Sequence, residues 1–192
     1  MQHPASPALR VPAFHCMQNR VDHTMSAPSS CYLAIALQVS CHEQDFSCEI
    51  DNEIIELMAK IVTPAGQSTA SFHALIQPKL EPELSEECIQ HSGLSQQQID
   101  DADTFPDVMQ QLMHWLADYP VSGWMSWGKT DAVLLSADCA RTDAPWPLPD
   151  DLAYLDARRW VMGNNGQMPS SNAPIQTRID ALVVLLPHML AH

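Results

Sequence analysis

Residues 32–39 read YLAIALQV, residues 53–63 read EIIELMAKIVT, and residues 68–78 read STASFHALIQP. The first is a continuous apolar run, the pattern of a strand covered on both faces. The second is a strand closed by the turn PAGQ at 64–67, and the third places Phe72, Ala74 and Ile76 on one face before Pro78 stops it. Short turns between three such strands predict an antiparallel meander beginning at about Tyr32.

Downstream, helices and strands interleave. Ser85 caps SEECIQHSG, which Gly93 ends, and Ser95 caps SQQQIDDA. Thr104 or Asp103 caps TFPDVMQQLMHWLADY, whose Val108, Leu112, Trp115 and Leu116 fall at helical spacing. VSGWMSWG reads as a fourth strand, set parallel to the first because a long helical crossover separates them. TDAVLLSADCAR is a helix, PWPLPDDLAYLDARRWV a short strand and a helical stretch, and IDALVVLLPHMLAH a terminal helix whose regularity Pro187 limits. The expectation is one α/β domain at 31–192, with a mixed sheet of about five strands flanked by helices. Residues 1–30, rich in Pro, Ser and small polar residues, read as a disordered tail, with Met25 an alternative start.

Composition narrows the function classes. Twenty-three acidic residues against nine basic ones leave a net charge of −14, and two of the nine, Arg10 and Arg20, lie in the tail. A broad polyanion-binding surface needs clustered Lys and Arg, so only a local basic groove is compatible with this balance. The six cysteines form no CxxC pair or metal-finger spacing, and read as reduced thiols, several of them in the core. No apolar run approaches the roughly 20 residues of a membrane helix, and no secretory pattern opens the chain, so a cytoplasmic protein without a membrane partner is expected.

The segments NEIIEL (52–57), FHALIQPKLEPELSEECIQHSGLSQQQIDDADTFPDVMQQLMHWL (72–116) and SWGKTDAVLLSADC (126–139) resemble the DEDDh 3′–5′ exonucleases of RNase H-like fold, on the branch of the Eri and KapD types. The likeness is good over residues 31–140 and poor over 141–192, where the C-terminal part looks shortened. It implies an RNase H-like fold and phosphodiester hydrolysis by two divalent ions about 4 Å apart, held by four carboxylates, with a histidine as general base. Magnesium or manganese suits such an oxygen-rich site.

The resemblance also marks what is missing. Where the family reads Asp-x-Glu-x-Thr-Cys, this chain has Ala36, Leu37, Gln38, Val39, Ser40 and Cys41. Asp131 and Asp180 fall at retained catalytic and metal positions, Ile175 falls at the histidine position, and no histidine occurs between His114 and His188. Two carboxylates cannot offset two dications. The expectation is therefore an exonuclease-like pseudoenzyme that needs no cofactor, with magnesium or manganese relevant only if activity remains. Nucleic acid is the partner the resemblance implies, weakened by the net charge.

Two alternatives stand beside it. One is an active metal-dependent 3′–5′ exonuclease on RNA or single-stranded DNA that recruits Glu43, Asp45 or Glu49; the other is a non-enzymatic acidic module for a protein partner. Individual residues also have plainer readings. Asp131 and Asp180 can cap helices, and Trp124 and Trp127 can simply pack. Lys129 is a solvated lysine or a cation standing in the vacant metal position. Glu56 and the acidic run Asp100–Asp103 read as solvated surface, and His91 and His114 as lying off the motif.

Overall fold

The structure, a computed structural model, describes residues 30–40, 52–170 and 172–191. Most of the expected tail, Cys16, Cys41 and Cys48, and the alternative ligands Glu43, Asp45 and Glu49 lie outside the described residues. Strand β1 (Cys31–Val39) pairs antiparallel with β2 (Ile54–Val62), which pairs antiparallel with β3 (Ser68–Gln77). Helices α1 (Glu86–Ser92) and α2 (Gln96–Asp100) follow, then the two-residue strand β4 (Asp103–Thr104) and helix α3 (Phe105–Leu116). Strand β5 (Val121–Ser126), helix α4 (Lys129–Thr142), strand β6 (Ala153–Asp156) and helices α5 (Ala157–Gly163) and α6 (Ile175–Leu190) complete the order.

The sheet is mixed, with strand order β4-β3-β2-β1-β5-β6. As the crossover required, β5 lies parallel to β1, and β6 is parallel to β5. The sixth strand is β4, a short parallel pairing of Asp103 and Thr104 with Ile76 and Gln77, which carries too few residues to show a period. At α1 and α2 the caps are those the sequence indicates: Ser85 accepts from the Cys88 amide, Gly93 closes α1 in the left-handed region, and Ser95 with Gln98 forms a capping box.

Alternation divides each strand between two cores. Leu33, Ile35 and Leu37 of β1 face a core shared with α3 and α4, including Val108, Leu112, Leu135 and Trp124. Ala34 and Ala36 face the opposite core with Met58, Met125, Ile175, Ile179, Leu182 and Leu186, most of it supplied by α6. Contrary to expectation, α6 continues through Pro187 to Leu190. Near that proline lies the β2–β3 turn, where Gly66 has φ +78 and an added Cβ would come 2.8 Å from the proline Cγ. Only glycine fits so close an approach at positive φ. No helix among the described residues is long and apolar enough to cross a membrane.

Candidate functional site

The site lies where the N-terminal turns of α6 meet the end of β1. Gln38 pairs with Glu56, Ala36 with Met58 and Ala34 with Lys60, so these six side chains share the face that α6 covers. On α6, Ile175, Ile179, Leu182 and Leu186 point inward. Arg178 lies three residues after Ile175 and beside Ile179, on the edge of that stripe, where helical geometry turns it toward the sheet. Its Nη2 donates to Gln38 Oε1 at 2.8 Å. Its main-chain carbonyl accepts from the indole N–H of Trp127 at 2.8 Å. The guanidinium is thereby tied to β1, and its backbone to the exit of β5.

Asp131 arrives from the third element. The turn Ser126-Trp127-Gly128 breaks β5 and starts α4, and Gly128 adopts φ +132, a conformation that residues with a side chain rarely take. Asp131, in the first turn of α4, reaches back to accept the Trp127 amide at 2.9 Å. Asp131 is thus the third residue of α4 and bonds an amide that precedes the helix; Gly128 is the N-cap, so Asp131 does not cap the helix as its plain reading had it. Burial pushes the Asp131 carboxyl above the usual carboxylate range, against the opposing pull of Ser126, the Trp127 amide and Arg178. Burial likewise lowers the Arg178 guanidinium, while Asp131 and Glu56 both favour its charge. Beside them, the Tyr154 hydroxyl shares a 3.0 Å hydrogen bond with Ser126 and is pushed up to about 12 by burial.

Asp180 behaves differently. It sits in the second turn of α6, since the helix begins at Ile175, so it does not cap the helix. Its carboxylate is 53% exposed and pairs with Lys60 of β2 and with Gln176. Those hydrogen bonds, Lys60 first, hold its carboxyl below the usual range. Asp180 therefore shares the α6 face with Ala36 and Gln38, but answers to a different set of partners from Asp131. Ile175 is buried in the apolar cluster with Ala36 and Met58.

Several plain readings need correction. Glu56 is not solvated; it is buried and bonds His73 Nε2 at 2.8 Å. Lys129 lies exposed at the first position of α4, and the cation that meets Gln38 is Arg178, whose charge Asp131 favours. Sequence reasoning also passed over His73, which alternation brings onto the α6 face of β3. Trp124 is a core residue packed on Tyr154 and Trp146, and Trp127 packs against the α6 cluster. The acidic residues Asp100, Asp101 and Asp103 are exposed, as are His91 and His114.

The described residues at these positions do not fit a pair of divalent cations. Magnesium and its relatives need several oxygen donors, most of them anionic. These positions offer a methyl group, a carboxamide and two carboxylates, of which Asp180 is paired with Lys60, and a guanidinium already donates to the carboxamide. Among the described residues, no three His, Cys, Asp or Glu side chains converge as a metal group.

Comparison with known proteins bears on the same region. The sequence model of the RNase T family, described as exonuclease, matches residues 38–182. The 3′-5′ exoribonuclease 1 of Rattus norvegicus is 31% identical over 164 residues, covering 77% of this chain and 44% of the rat protein. The chain thus spans less than half the length of that relative. Among solved structures, a full-length 3′-exonuclease superposes with a TM-score of 0.71 at 16% identity, over 85% of this chain and 82% of that one. A 3′-exonuclease described in 3′-end-specific recognition of the histone mRNA stem-loop gives 0.66 at 18%, over 84% and 81%. At such identities the superpositions establish the RNase H-like fold.

Proposed function

Because the chain belongs to the exonuclease family, as a DEDDh-type member of the Eri branch, we propose that it keeps a nucleic-acid end-binding site but does not hydrolyse phosphodiester bonds. One observation carries this reading: β1 presents Ala36 and Gln38, rather than two carboxylates, to the opening turns of α6. Metal-assisted hydrolysis in this fold depends on anionic oxygens at those places to neutralise two dications and to orient the attacking water. A carboxamide supplies a carbonyl oxygen without charge, and a methyl group supplies nothing. The position that the resemblance assigns to the general base is filled by buried Ile175, which cannot accept a proton.

Binding without cleavage is supported by the few cations that remain. Lys60 and Arg141 are engaged in ion pairs with Asp180 and Asp138. Lys129, Arg158 and Arg159 are exposed, and the Arg158 side chain lies against Gly128, at the turn that leads into Asp131. Exposed cations of this kind, Arg158 nearest the site, suit a short stretch of RNA, and a structural neighbour is described in 3′-end-specific recognition of the histone mRNA stem-loop. Contact with so few phosphates predicts weak binding, with a slope in log salt of about −0.7 per phosphate neutralised.

The test pairs two assays on the unmodified protein. Labelled single-stranded RNA and DNA are incubated with magnesium or manganese, and binding is followed by anisotropy at low salt. The expected outcome is salt-sensitive binding with no product above a buffer control. Metal-dependent shortening abolished by Asp131→Ala would establish the active exonuclease instead. Absence of binding to either nucleic acid would leave the protein-partner reading.

A further inference from the structure

We infer that the guanidinium of Arg178 is a built-in cation that takes over the electrostatic work of a metal ion here, pinning α6 to β1 and keeping divalent ions out even when carboxylates are restored. This rests on the reading that Ala36 and Gln38 stand at former ligand positions. Four observations converge on Arg178. Its Nη2 is bonded to Gln38, the residue at the second of those positions. Asp131 and Glu56, the two nearby carboxylates, both act on its charge. Its carbonyl is held by Trp127, one residue from the Gly128 turn. Its Nε is buried and has no hydrogen-bond partner among the described residues.

An arginine at the edge of a buried stripe could direct its head group to water along its flexible stem. Here it turns inward, at a desolvation cost that only surrounding acceptors can offset. The other cations nearby do not serve the same role, since Lys60 is committed to Asp180 and Lys129 is exposed. The consequence is competitive. A carboxylate introduced at residue 36 or 38 shares a folded chain with the guanidinium, and therefore meets it at an effective concentration of millimolar or above. A metal ion supplied at millimolar concentration has to displace that partner first. The unmatched Nε donor favours the same outcome, because it remains available to a new acceptor.

The experiment restores the two carboxylates with Ala36→Asp and Gln38→Glu in two backgrounds, one with Arg178 and one with Arg178→Met. Manganese binding is read by the loss of the free-ion EPR signal and by the manganese dependence of Tm. With Arg178 present, no binding is expected below about 1 mM and no shift in Tm. With Arg178→Met, the dissociation constant should fall at least about tenfold, with a Tm that rises with manganese. Equal affinity in the two backgrounds would overturn the inference. Should the triple variant not fold, Gln38→Glu decides alone in EDTA: it should raise Tm beside Arg178, through a charge-assisted hydrogen bond, and lower it beside Arg178→Met. The same change of Tm in both backgrounds would overturn it equally. Cleavage by the unmodified protein would sink the non-hydrolytic reading whatever manganese does, and manganese binding indifferent to residue 178 would sink this inference whatever the nuclease assay gives.

Discussion

The acids on the two sides of the sheet do different work. On the side of α3 and α4, Glu53 and Asp138 are 4% and 3% exposed, more buried than any acid at the candidate site. Three of their four carboxylate oxygens are taken by backbone amides. Glu53 accepts the amides of Lys79, Leu80 and Glu81 at 2.7, 2.8 and 3.3 Å, and Asp138 accepts the Ile54 amide at 2.8 Å and pairs with Arg141. On the α6 side, Gln38 instead accepts from a side-chain cation, Arg178, whose charge Asp131 and Glu56 favour. Burial alone therefore does not mark a functional carboxylate. The partner does: main-chain amides fix a loop, while convergent side chains around one point mark ground where charge is exchanged between elements.

The comparison breaks first if Glu53 proves dispensable. Glu53→Ala leaves three amides of the β3–α1 loop without their acceptor, and should cost about 3 kcal/mol in urea unfolding, with no effect on nucleic-acid affinity per folded molecule. A loss below about 0.5 kcal/mol would place Glu53 among surface residues. Arg178→Met comes next. It strands half-buried Asp131, but that carboxyl can take up a proton, so the expected loss is about 2 kcal/mol at neutral pH and less in acid.

Asp131→Asn sharpens the comparison through pH. The folded carboxyl titrates above its unfolded value of 3.8, so its favourable contribution is complete below that value and is lost as pH rises through the folded one. The variant's urea midpoint relative to the unmodified protein should therefore rise as pH climbs from 3.8 through the folded value. A difference independent of pH would mean that burial does not govern Asp131. The smallest effect belongs to Asp180→Asn, an exposed pair with Lys60 worth at most about 0.5 kcal/mol. Because its folded carboxyl is depressed, that contribution is present above 3.8 and fades as pH falls through the folded value.

Much of the architecture was legible because its signals are local. The apolar runs of β1 and β2, the alternation of Phe72, Ala74 and Ile76, and the caps at Ser85 and Ser95 each depend on neighbours within a few residues. The long crossover forced β5 parallel to β1. Glu56 was misread because a charged residue within a strand suggests solvent, whereas its pairing opposite Gln38 puts it under α6. The signal for Arg178 was present but unread: Ile175, Arg178, Ile179 and Leu182 are spaced three, one and three residues apart, the pattern of one helix face.

By itself, the sequence determined that β1 carries Ala36 and Gln38 on one face and no acid there, since residue identity and strand alternation are local properties. It also determined that Asp131 lies near the start of a helix just after a strand. Only the tertiary structure decided which charge meets which. Asp180 finds Lys60 across 120 residues, and Arg178 finds Gln38 across 140, while Lys129, only two residues from Asp131, stays in solvent. Such pairings depend on where the crossover returns α6 over the sheet and on how far the helix is rotated about its axis. A single turn of difference would exchange Arg178 and Asp180 for other partners, and no spacing within the chain records that angle.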